Sequence, residues 1–545
     1  MDVKRILDRQ AALESRRANW DTLWSEVARR VMPYGDDFDT RHAPGTNRSE
    51  QQYDSFPMLA LSRFAAALES GLTPRTAMWH HLATGEDEID ENVEVKRYLE
   101  ALNNRIWRTR YAATSNFSNQ AHELYQLLGA FGTGCMLIED AGNGVRYKSI
   151  HTGEIYIAEN SHGIVDTIHR KFEMTARQAM QTFGKEAPEK IHKAVAKGHT
   201  EDQFCFLHVV MPRDDYDPDR LDAQGKPFTD TYLFPDDRSI IKDDGFYEMP
   251  FACPRYVTSS RETYGRSPAI NLLADVKMLN NMRYTTIEAA NLTIDPPMLL
   301  IDDGIMSEFR MEAGARNYGG VDNEGRQLVH PLQTGADIGL GLEMIQDTKH
   351  QIDDGFLGAY FRVLLENPNM TATQALLLAQ QQGQMTAPVV GRLQTEFLGP
   401  LIRRESGILH RQGKHPPMPE VLAEWLASEE QPLGIDYESP MTRAARSEDA
   451  VAILRTFESL APMAQVDPTV YARFNVSEVA QILADVNGVP AKALYTDDEM
   501  EAKKAQQEQA QALGQILEAA PIAAETAKTL SDIQVQSQNN PGVAA

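Results

Sequence analysis

Residues 267–291 form the sequence SPAINLLADVKMLNNMRYTTIEAAN, which has the pattern of one long helix. Pro268 stands in the first turn, where its missing N–H costs no helical hydrogen bond. Apolar residues recur at every third position: Ile270, Leu273, Val276 and Leu279. The spacing predicts a helix about 36 Å long, at about 1.5 Å per residue.

A second long helix is predicted after an insertion. Asp295-Pro296-Pro297 ends the first helix, and short Gly-rich and β-branched segments up to about residue 340 predict a small mixed region of strands and turns. The sequence LEMIQDTKHQIDDGFLGAYFRVLL, residues 342–365, then has apolar residues at steps of seven, four and seven: Ile345, Ile352, Phe356 and Val363. ENPN breaks this helix, and a T-x-x-Q capping box at 371–374 starts another.

Three helices are predicted before residue 132. The first has aromatic and apolar residues at helical spacing, such as Trp24, and Pro33 closes it. The second covers residues 58–72 and the third covers 119–131. The Gly132-Thr133-Gly134 turn that follows could cradle a phosphate, but a helix-to-strand turn that needs positive φ is the simpler interpretation.

The chain changes character over residues 135–256, where short β-branched and aromatic runs are broken by Gly, Asn and Asp. This pattern predicts an antiparallel β region. Inside it, Thr175 and Gln178 form a capping box for a short helix that ends at Gly184. LGIDYESP, residues 433–440, resembles a strand, and the residues from 447 onward are predicted to be nearly all helical. The fold class is therefore α+β, mainly helical.

The composition and net charge limit the classes of protein to which the chain can belong. The chain has 545 residues, of which 42% are hydrophobic and 24% charged, as in an ordinary globular protein. Lys and Arg number 53 and Asp and Glu 78, so the net charge is −25. This charge opposes tight DNA binding through phosphate neutralisation, although it suits a protein that surrounds DNA without gripping it.

Other features exclude further classes of protein. We expect no membrane span and no signal peptide, because no apolar run approaches about 18 residues and the first residues are charged. The cysteines Cys135, Cys205 and Cys253 are far apart in sequence and form no CxxC motif, so we expect three buried free thiols. The chain lacks a GxxxxGK[ST] phosphate loop and an HExxH zinc motif.

The remaining candidate sites favour structural interpretations. Ser267 lies in a segment similar to a nucleophile elbow, but Pro268 removes the N–H that an oxyanion hole would use, so a helix cap is favoured over catalysis. The acidic run 86–91 could hold a hard cation, but it lacks ligand-like spacing, and a solvated charged turn is favoured. His80-His81 are interpreted as part of a loop and not as a metal pair.

Several residues and segments occur in an order that is typical of one protein family. They are Arg17, Trp20, Trp24 and Pro33, Tyr53-Asp54-Ser55, LESGLTPRTAMWHHL at 68–82, residues 131–134, YGRSPA at 264–269, Pro296-Pro297, Met370 to Thr373, and LQTEFLGPLIRR at 393–404. Together with the order helix, insertion, helix, loop and capped helix, they resemble the head-to-tail connector, or portal, family of short-tailed double-stranded DNA bacteriophages.

The resemblance implies a portal fold assembled as a dodecameric ring. Its parts would be a wing (1–266), a stem helix (267–293), a clip (294–340), a second stem helix (341–365), a tunnel loop with a long helix and a return to the wing (366–445), and a crown with a C-terminal helical barrel (446–545). It also implies a channel at one capsid vertex for DNA packaging and ejection, with no catalytic, cofactor or metal site.

The implied partners are further copies of the chain, double-stranded DNA, the major capsid protein, scaffolding protein, the terminase large subunit, and tail, adaptor, internal core or ejection proteins. The protein would assemble in the bacterial cytoplasm and reside in the virion. Alternatives are a tail adaptor or a serine hydrolase using Ser267.

The tunnel loop would face DNA with Glu366, Asn367, Pro368, Asn369 and Met370. Basic side chains of the stem could form rings that locate the DNA: Lys277, Arg283 and Lys349. The alternative for each of these three residues is a solvated helix charge.

Overall fold

The computed structural model describes residues 2–38, 42–43, 45–49, 52–90, 92–299, 320–332, 337–356, 388–429 and 433–437, and a few single residues elsewhere. The predicted tunnel loop (366–370), Val363, the capping box at 371–374 and nearly all of 446–545 lie outside the described residues. The chain divides into two units. One comprises Met1–Trp79, Arg105–His415 and Tyr437–Met441, and the other comprises the rest of the chain.

The helices are, in chain order, α1 (Val3–Val31), α2 (Phe56–Leu72), α3 (Asp87–Asp90), α4 (Val93–Arg110), α5 (Phe117–Phe131), α6 (Ala176–Phe183), α7 (Glu189–Ala196), α8 (Pro268–Asn271), α9 (Leu273–Ile294), α10 (Ile338–Gly355), α11 (Gly399–Arg411) and α12 (Glu420–Glu429). A π-helical segment, Gln394–Leu398, leads directly into α11. Helix α4 was not among the sequence predictions, whereas α1, α2 and α5 confirm theirs.

The strands are β1 (His80–Ala83), β2 (Met136–Asp140), β3 (Val145–Ser149), β4 (Ile155–Glu159), β5 (Val165–Thr175), β6 (Gln203–Val210), β7 (Phe228–Phe234), β8 (Ser239–Phe246), β9 (Phe251–Ala252), β10 (Met298–Leu299), β11 (His330–Pro331) and β12 (Gly434–Tyr437). They form sheets with the orders β4-β5-β6-β7-β8, β3-β2-β9, β1-β12 and β10-β11. The antiparallel β region predicted for residues 135–256 is confirmed, and so is the strand near 434.

Trp24 lies at the centre of the helical core because α1 presents one apolar face to α5. Its ring is fully buried, and its Nε1–H donates to the carbonyl of Phe131 at 2.9 Å. The Tyr264 ring meets the Trp24 ring edge-on at 5.1 Å. This one side chain therefore joins the first helix, the end of α5 and the segment that leads into α8.

The five-stranded sheet is covered by apolar residues on both faces. Helices α6 and α7 pack on one face over a cluster of aromatic residues that includes Phe172, Phe183 and Phe206. The start of α1 contributes Ile6 to a second cluster with Leu207. The capping box that begins α6 has both of its predicted hydrogen bonds, so that prediction is confirmed.

The first long central helix is interrupted, in contrast to the single helix predicted from 267. A single turn, α8, precedes α9, and Leu272 stands at the break with its side chain packed over Gly355 of α10. All four apolar residues at the three-residue spacing are buried.

Helix α10 is capped by Asp337, whose Oδ1 accepts from the N–H of Leu340 at 3.2 Å. Helices α9 and α10 pack against each other.

Two local predictions about the smaller unit were wrong. His80 and His81 belong to strand β1 and not to a loop, because β1 pairs with β12, a strand far away in sequence. The acidic run is partly helical and not simply a solvated turn. Asp90 at the end of α3 accepts hydrogen bonds from the N–H groups of Thr84 (2.9 Å) and Gly85 (3.1 Å).

Across the part of the chain that the structure covers, no helix has both the length and the apolar character that a membrane crossing requires.

Candidate functional site

Ser267 anchors the start of α8, the short helix that leads into the packed helices α9 and α10. Its Oγ–H donates to the carbonyl of Ala130 at 2.8 Å, and its Oγ accepts from the N–H of Ile270 at 2.9 Å. The residue is fully buried. The hydroxyl thus caps the helix as an acceptor and anchors its start to α5 as a donor. The predicted cap is confirmed.

The backbones at Gly132 and Gly265 are in direct contact beneath this helix start. Gly132 ends α5 with φ at +77°, the positive φ predicted for the turn. A Cβ at Gly132 would lie 2.3 Å from the carbonyl oxygen of Gly265, so no side chain fits there. The Thr133 hydroxyl accepts from the N–H of Gly265 at 2.8 Å. The GTG turn is therefore a close backbone junction.

Arg255 connects this junction to the π-helical segment. Its guanidinium NH2 donates to Glu396 at 2.6 Å, and its NH1 pairs with Glu159. The same guanidinium donates to the carbonyls of Thr263 (3.1 Å) and Gly163 (2.9 Å). Burial alone would lower the pKa of Arg255, but the hydrogen bonds that it donates to the carboxylates of Glu396 and Glu159 raise this pKa above its ordinary value. The guanidinium therefore stays charged and holds three segments of the chain together.

Two consecutive residues before α2 hold both helices of the central pair. The N–H of Tyr53 donates to Asn280 Oδ1 at 2.8 Å, and its ring contacts that of Tyr284 at 4.7 Å, both on α9. Asp54 pairs with Lys349 of α10. We call this segment, Tyr53-Asp54, the stem anchor. The resemblance to the family had drawn attention to it, but nothing in its own pattern predicts these contacts.

Two of the three basic residues predicted to face DNA have carboxylate partners within the chain. Lys277 of α9 pairs with Glu26 of α1, and Lys349 pairs with Asp54. Arg283 is half-buried on α9. A lysine beside a carboxylate adds little to the electrostatic field at a distance. A role for these residues in locating DNA stays a prediction.

The distal parts of α9 and α10 expose apolar side chains. Ile287 and Leu292 of α9 are about two-fifths exposed, and Leu340 and Met344 of α10 are about half exposed. In a single chain, such residues on adjacent helices would lie in water. Exposed apolar surface of this kind typically marks an interface with another protein.

A buried ion pair lies away from the helix pair, and sequence reasoning missed it. The Arg110 guanidinium donates to the Glu405 carboxylate through Nε (2.9 Å) and NH2 (2.5 Å), and the Tyr147 hydroxyl donates to the same carboxylate. Burial alone would lower the pKa of Arg110, but Glu405 raises it. Burial, with Glu405 adding to it, raises the pKa of Tyr147 well above its usual range. This cluster fixes α4, β3 and α11 to one another.

Among the described residues, no group of three or more His, Cys, Asp or Glu side chains has the arrangement of a metal site. A cleft of about 230 Å³ near the start of α1 is lined by Arg5, Arg9 and Arg213 and also by Asp2, Asp214 and Asp215. Its charges are balanced, and Arg5 already pairs with Asp214.

Comparison with known proteins identifies the family. Residues 3–494 match the model of the bacteriophage head to tail connecting protein family. The chain is 25% identical over 546 residues to a protein named probable portal protein from Bordetella phage BPP-1, and 27% identical over 553 residues to the portal protein of Salmonella phage epsilon15. Each alignment covers 98% of this chain and 96% of the relative. The chain belongs to the bacteriophage head to tail connecting protein family.

Proposed function

We propose that this chain is the portal, or head-to-tail connector, of a short-tailed double-stranded DNA bacteriophage. The observation that carries the proposal is the family match over residues 3–494, together with two portal proteins that align along nearly their whole length. The packed pair α9 and α10, separated by the segment 295–337, supports it, because this is the helix, insertion and helix order expected of the stem and clip.

The chain acts as a closed ring of identical copies, which we expect to number twelve. The exposed apolar residues of α9 and α10 support this assembly, since a neighbouring copy would cover them. Contacts between two different faces of identical subunits close into a ring when the rotation between copies divides a full turn. The stem anchor and the pair between Lys277 and Glu26 would set the direction in which the helix pair leaves each subunit.

The ring is a conduit through which DNA passes during packaging and ejection. Each chain carries a net charge of −25, so twelve copies would carry about −300, a field that repels phosphates. Residues 366–370 would form the tunnel loop that faces the DNA. Of the three basic stem residues, Arg283 is the one we expect to contribute most to locating it, because Lys277 and Lys349 have carboxylate partners.

The role is structural and needs neither cofactor nor catalysis. We expect the ring to occupy one vertex of the capsid, to contact the major capsid and scaffolding proteins, to dock the terminase large subunit during packaging, and afterwards to receive tail, adaptor, core or ejection proteins. Its assembly would take place in the host cytoplasm. The use of Ser267 in capping and anchoring α8 supports a structural role for this residue.

Electron microscopy of the purified protein tests the proposal. We expect end-on class averages to show rings of about twelve copies around a channel wide enough for duplex DNA, about 20 Å or more across. A closed ring with a channel of this width can surround a duplex. A monomer or a closed dimer at micromolar concentration would contradict the proposal and favour the hydrolase or adaptor alternative.

A further inference from the structure

Cys135 and Cys253 are far apart in sequence but face each other in the three-stranded sheet. Strands β2 and β9 pair antiparallel, and the same register continues to the bridge between Thr133 and Arg255. Between that bridge and the paired strands, the residue opposite Cys135 is Cys253. The sequence prediction of buried free thiols is confirmed for Cys135 and Cys253, whereas Cys205 is free but only half-buried.

The backbone hydrogen bonds define the type of pair that these two residues form. Such bonds join the chains at alternate positions: Tyr256 N–H to Gly132 C=O (2.9 Å), Gly134 N–H to Pro254 C=O (3.0 Å) and Ile138 N–H to Pro250 C=O (2.8 Å). Cys135 and Cys253 fall between them and form a non-hydrogen-bonded pair. In such pairs the Cα atoms are about 4.5 Å apart and the side chains are close on one face. This separation is within the range of disulfide bonds, about 4.4 to 6.8 Å.

Both thiols are enclosed by the protein. Cys135 is fully buried and Cys253 is 5% exposed, whereas Cys205 on β6 is half-buried. Burial raises the pKa of Cys253 well above its ordinary value, and a hydrogen bond with the Cys135 side chain adds to this rise. The pair is therefore stable as two thiols in a reducing cytosol.

We propose that Cys135 and Cys253 are a redox modification site, which closes to a cross-strand disulfide after the particle leaves the reducing host cytoplasm. The inference rests on the proposed function, since that function makes the chain a virion component. Surfaces of virions are oxidising environments in which disulfides persist.

The oxidant is a low-molecular-weight disulfide such as oxidised glutathione. One cysteine thiolate attacks a sulfur of that disulfide, and one glutathione thiolate leaves. The second cysteine thiolate then displaces the bound glutathione, so two cysteine thiols are oxidised and two glutathione thiols form. Because the pair is buried, the reaction requires transient opening of β9, which is only two residues long.

The position of Cys135 and Cys253 in the chain determines what a disulfide between them would do. Cys135 lies just before β2 and Cys253 just after β9, and the whole five-stranded sheet lies between them in the chain. A disulfide would join the entry and the exit of this β region next to Arg255, the residue that ties it to the π-helical segment. It would thus clamp the β region to the helical core and restrict its local opening.

Counting free thiols tests the site. The full-length protein is equilibrated in glutathione mixtures from reducing to oxidising, quenched with acid, unfolded, and alkylated with N-ethylmaleimide. We expect three labelled cysteines under reducing conditions and only Cys205 labelled under oxidising conditions, with a cross-linked peptide pair containing Cys135 and Cys253. The proposal would be overturned if all three cysteines were still labelled in a glutathione mixture oxidising enough to convert free dithiothreitol to its disulfide. A disulfide that includes Cys205 would also overturn it.

Two variants and two further measurements distinguish a Cys135–Cys253 disulfide from other cross-links and from a failure of the proposed function. C205S should keep the cross-link and C253S should abolish it, while the wild-type result stands even if C253S folds poorly. Particles released from cells should contain the disulfide, whereas protein alkylated inside infected cells should not; equal thiol counts in both would also overturn the proposal. Electron microscopy of the same sample tests ring formation separately from the disulfide. Rings that lack the cross-link would contradict the disulfide proposal and leave the proposed function in place.

Discussion

Lys349 Nζ lies 2.8 Å from Asp54 Oδ2, and this ion pair joins α10 to the segment that precedes α2. Only 7% of the Asp54 side chain and 22% of the Lys349 side chain are exposed. The neighbouring residue, Tyr53, holds α9 through Asn280 and Tyr284. The stem anchor therefore binds both helices of the pair, and it gives Lys349 a structural role that does not require DNA.

Removing one partner of this pair should destabilise the protein. We expect K349M to lower the free energy of unfolding by about 2 kcal/mol, because Asp54 would keep a largely buried charge without its partner. D54N should lower the free energy of unfolding by a similar amount, because Lys349 would then lose its carboxylate partner. In a double-mutant cycle measured by chemical denaturation, the double variant should cost less than the sum of the two single changes.

The matched control for K349M is K193M, which breaks an exposed pair with Glu189 on α7. It should change the free energy of unfolding by less than about 0.5 kcal/mol. If the losses in unfolding free energy of K349M and D54N were strictly additive, the two residues would not be coupled, and a direct contact between Lys349 and DNA would be supported instead. A packaging defect in K349M that D54N does not share would support the same contact.

The buried cluster of Arg110, Glu405 and Tyr147 should be sensitive to small changes. R110K keeps the charge but loses the two-point contact with Glu405, and R110M leaves the buried carboxylate without its cationic partner. We expect R110M to cost about 3 to 5 kcal/mol and R110K less than that. Y147F removes one donor to Glu405 and should cost about 1 to 2 kcal/mol.

Thermal and chemical unfolding of these variants can be compared with Y216F, in which the changed side chain is about half exposed. Y216F should be close to neutral. If R110M were as stable as Y216F, the cluster would not contribute to stability through its charges.

The stability should fall in weak acid because of a buried histidine. The Gln10 amide N–H donates to Glu14, so its oxygen faces His169 Nδ1, which must carry the proton. Burial, with the charge on Arg9 adding to its effect, lowers the pKa of His169 to about 3. Unfolded chains have a histidine pKa near 6.5. The unfolded state therefore binds the proton first, so stability is complete above about pH 6.5 and is lost as the pH falls toward 3.

At pH 5 this one residue should reduce the free energy of unfolding by about 2 kcal/mol relative to pH 7. We expect H169Q to show a shallower decrease between pH 6.5 and 5 than the wild type, measured by denaturant titrations at each pH. H162Q changes an exposed histidine and is the control that should keep the wild-type slope. An unchanged slope in H169Q would show that His169 is not protonated on unfolding.

Ser267 should matter for stability and not for chemistry. S267A removes the cap on α8 and leaves the carbonyl of Ala130 without its donor, so we expect a loss of about 1 to 2 kcal/mol. Ring formation and DNA packaging at a permissive temperature should persist. The control S62A changes an exposed serine on α2 and should be nearly neutral. Loss of packaging in a folded S267A ring would revive the hydrolase alternative.

Local signals in the sequence predicted the elements that local physics determines. The three-residue apolar spacing located the buried face of the central helix, and the capping box located α6, because such bonds join residues close in sequence. The sequence of helix α4 has a comparable signal. Its buried residues are at helical spacing: Val95, Tyr98, Leu99, Leu102 and Ile106.

Distant pairings could not be predicted in the same way. Strand β1 exists because β12 pairs with it, and neither four-residue segment specifies the other. The contact between Arg110 and Glu405 joins residues 295 positions apart. The Cys135 and Cys253 pair depends on the register of two such segments. In each case the interaction follows from the folded chain as a whole, and the residue types alone are compatible with many other partners.

Gly132 offers a test of the junction beneath the central helix. In G132A, the new Cβ would lie 2.3 Å from the carbonyl oxygen of Gly265, and φ is already +77°. Gly142 has nearly the same φ, +74°, but no atom within 4 Å of a Cβ placed there. G142A should therefore cost only the backbone strain, about 1 kcal/mol. G132A should cost more than about 3 kcal/mol, because two backbone segments must also move apart. Equal losses in denaturant titrations would mean that positive φ alone requires glycine at 132, whereas a larger loss in G132A shows that the close contact with Gly265 holds the start of α8 against α5.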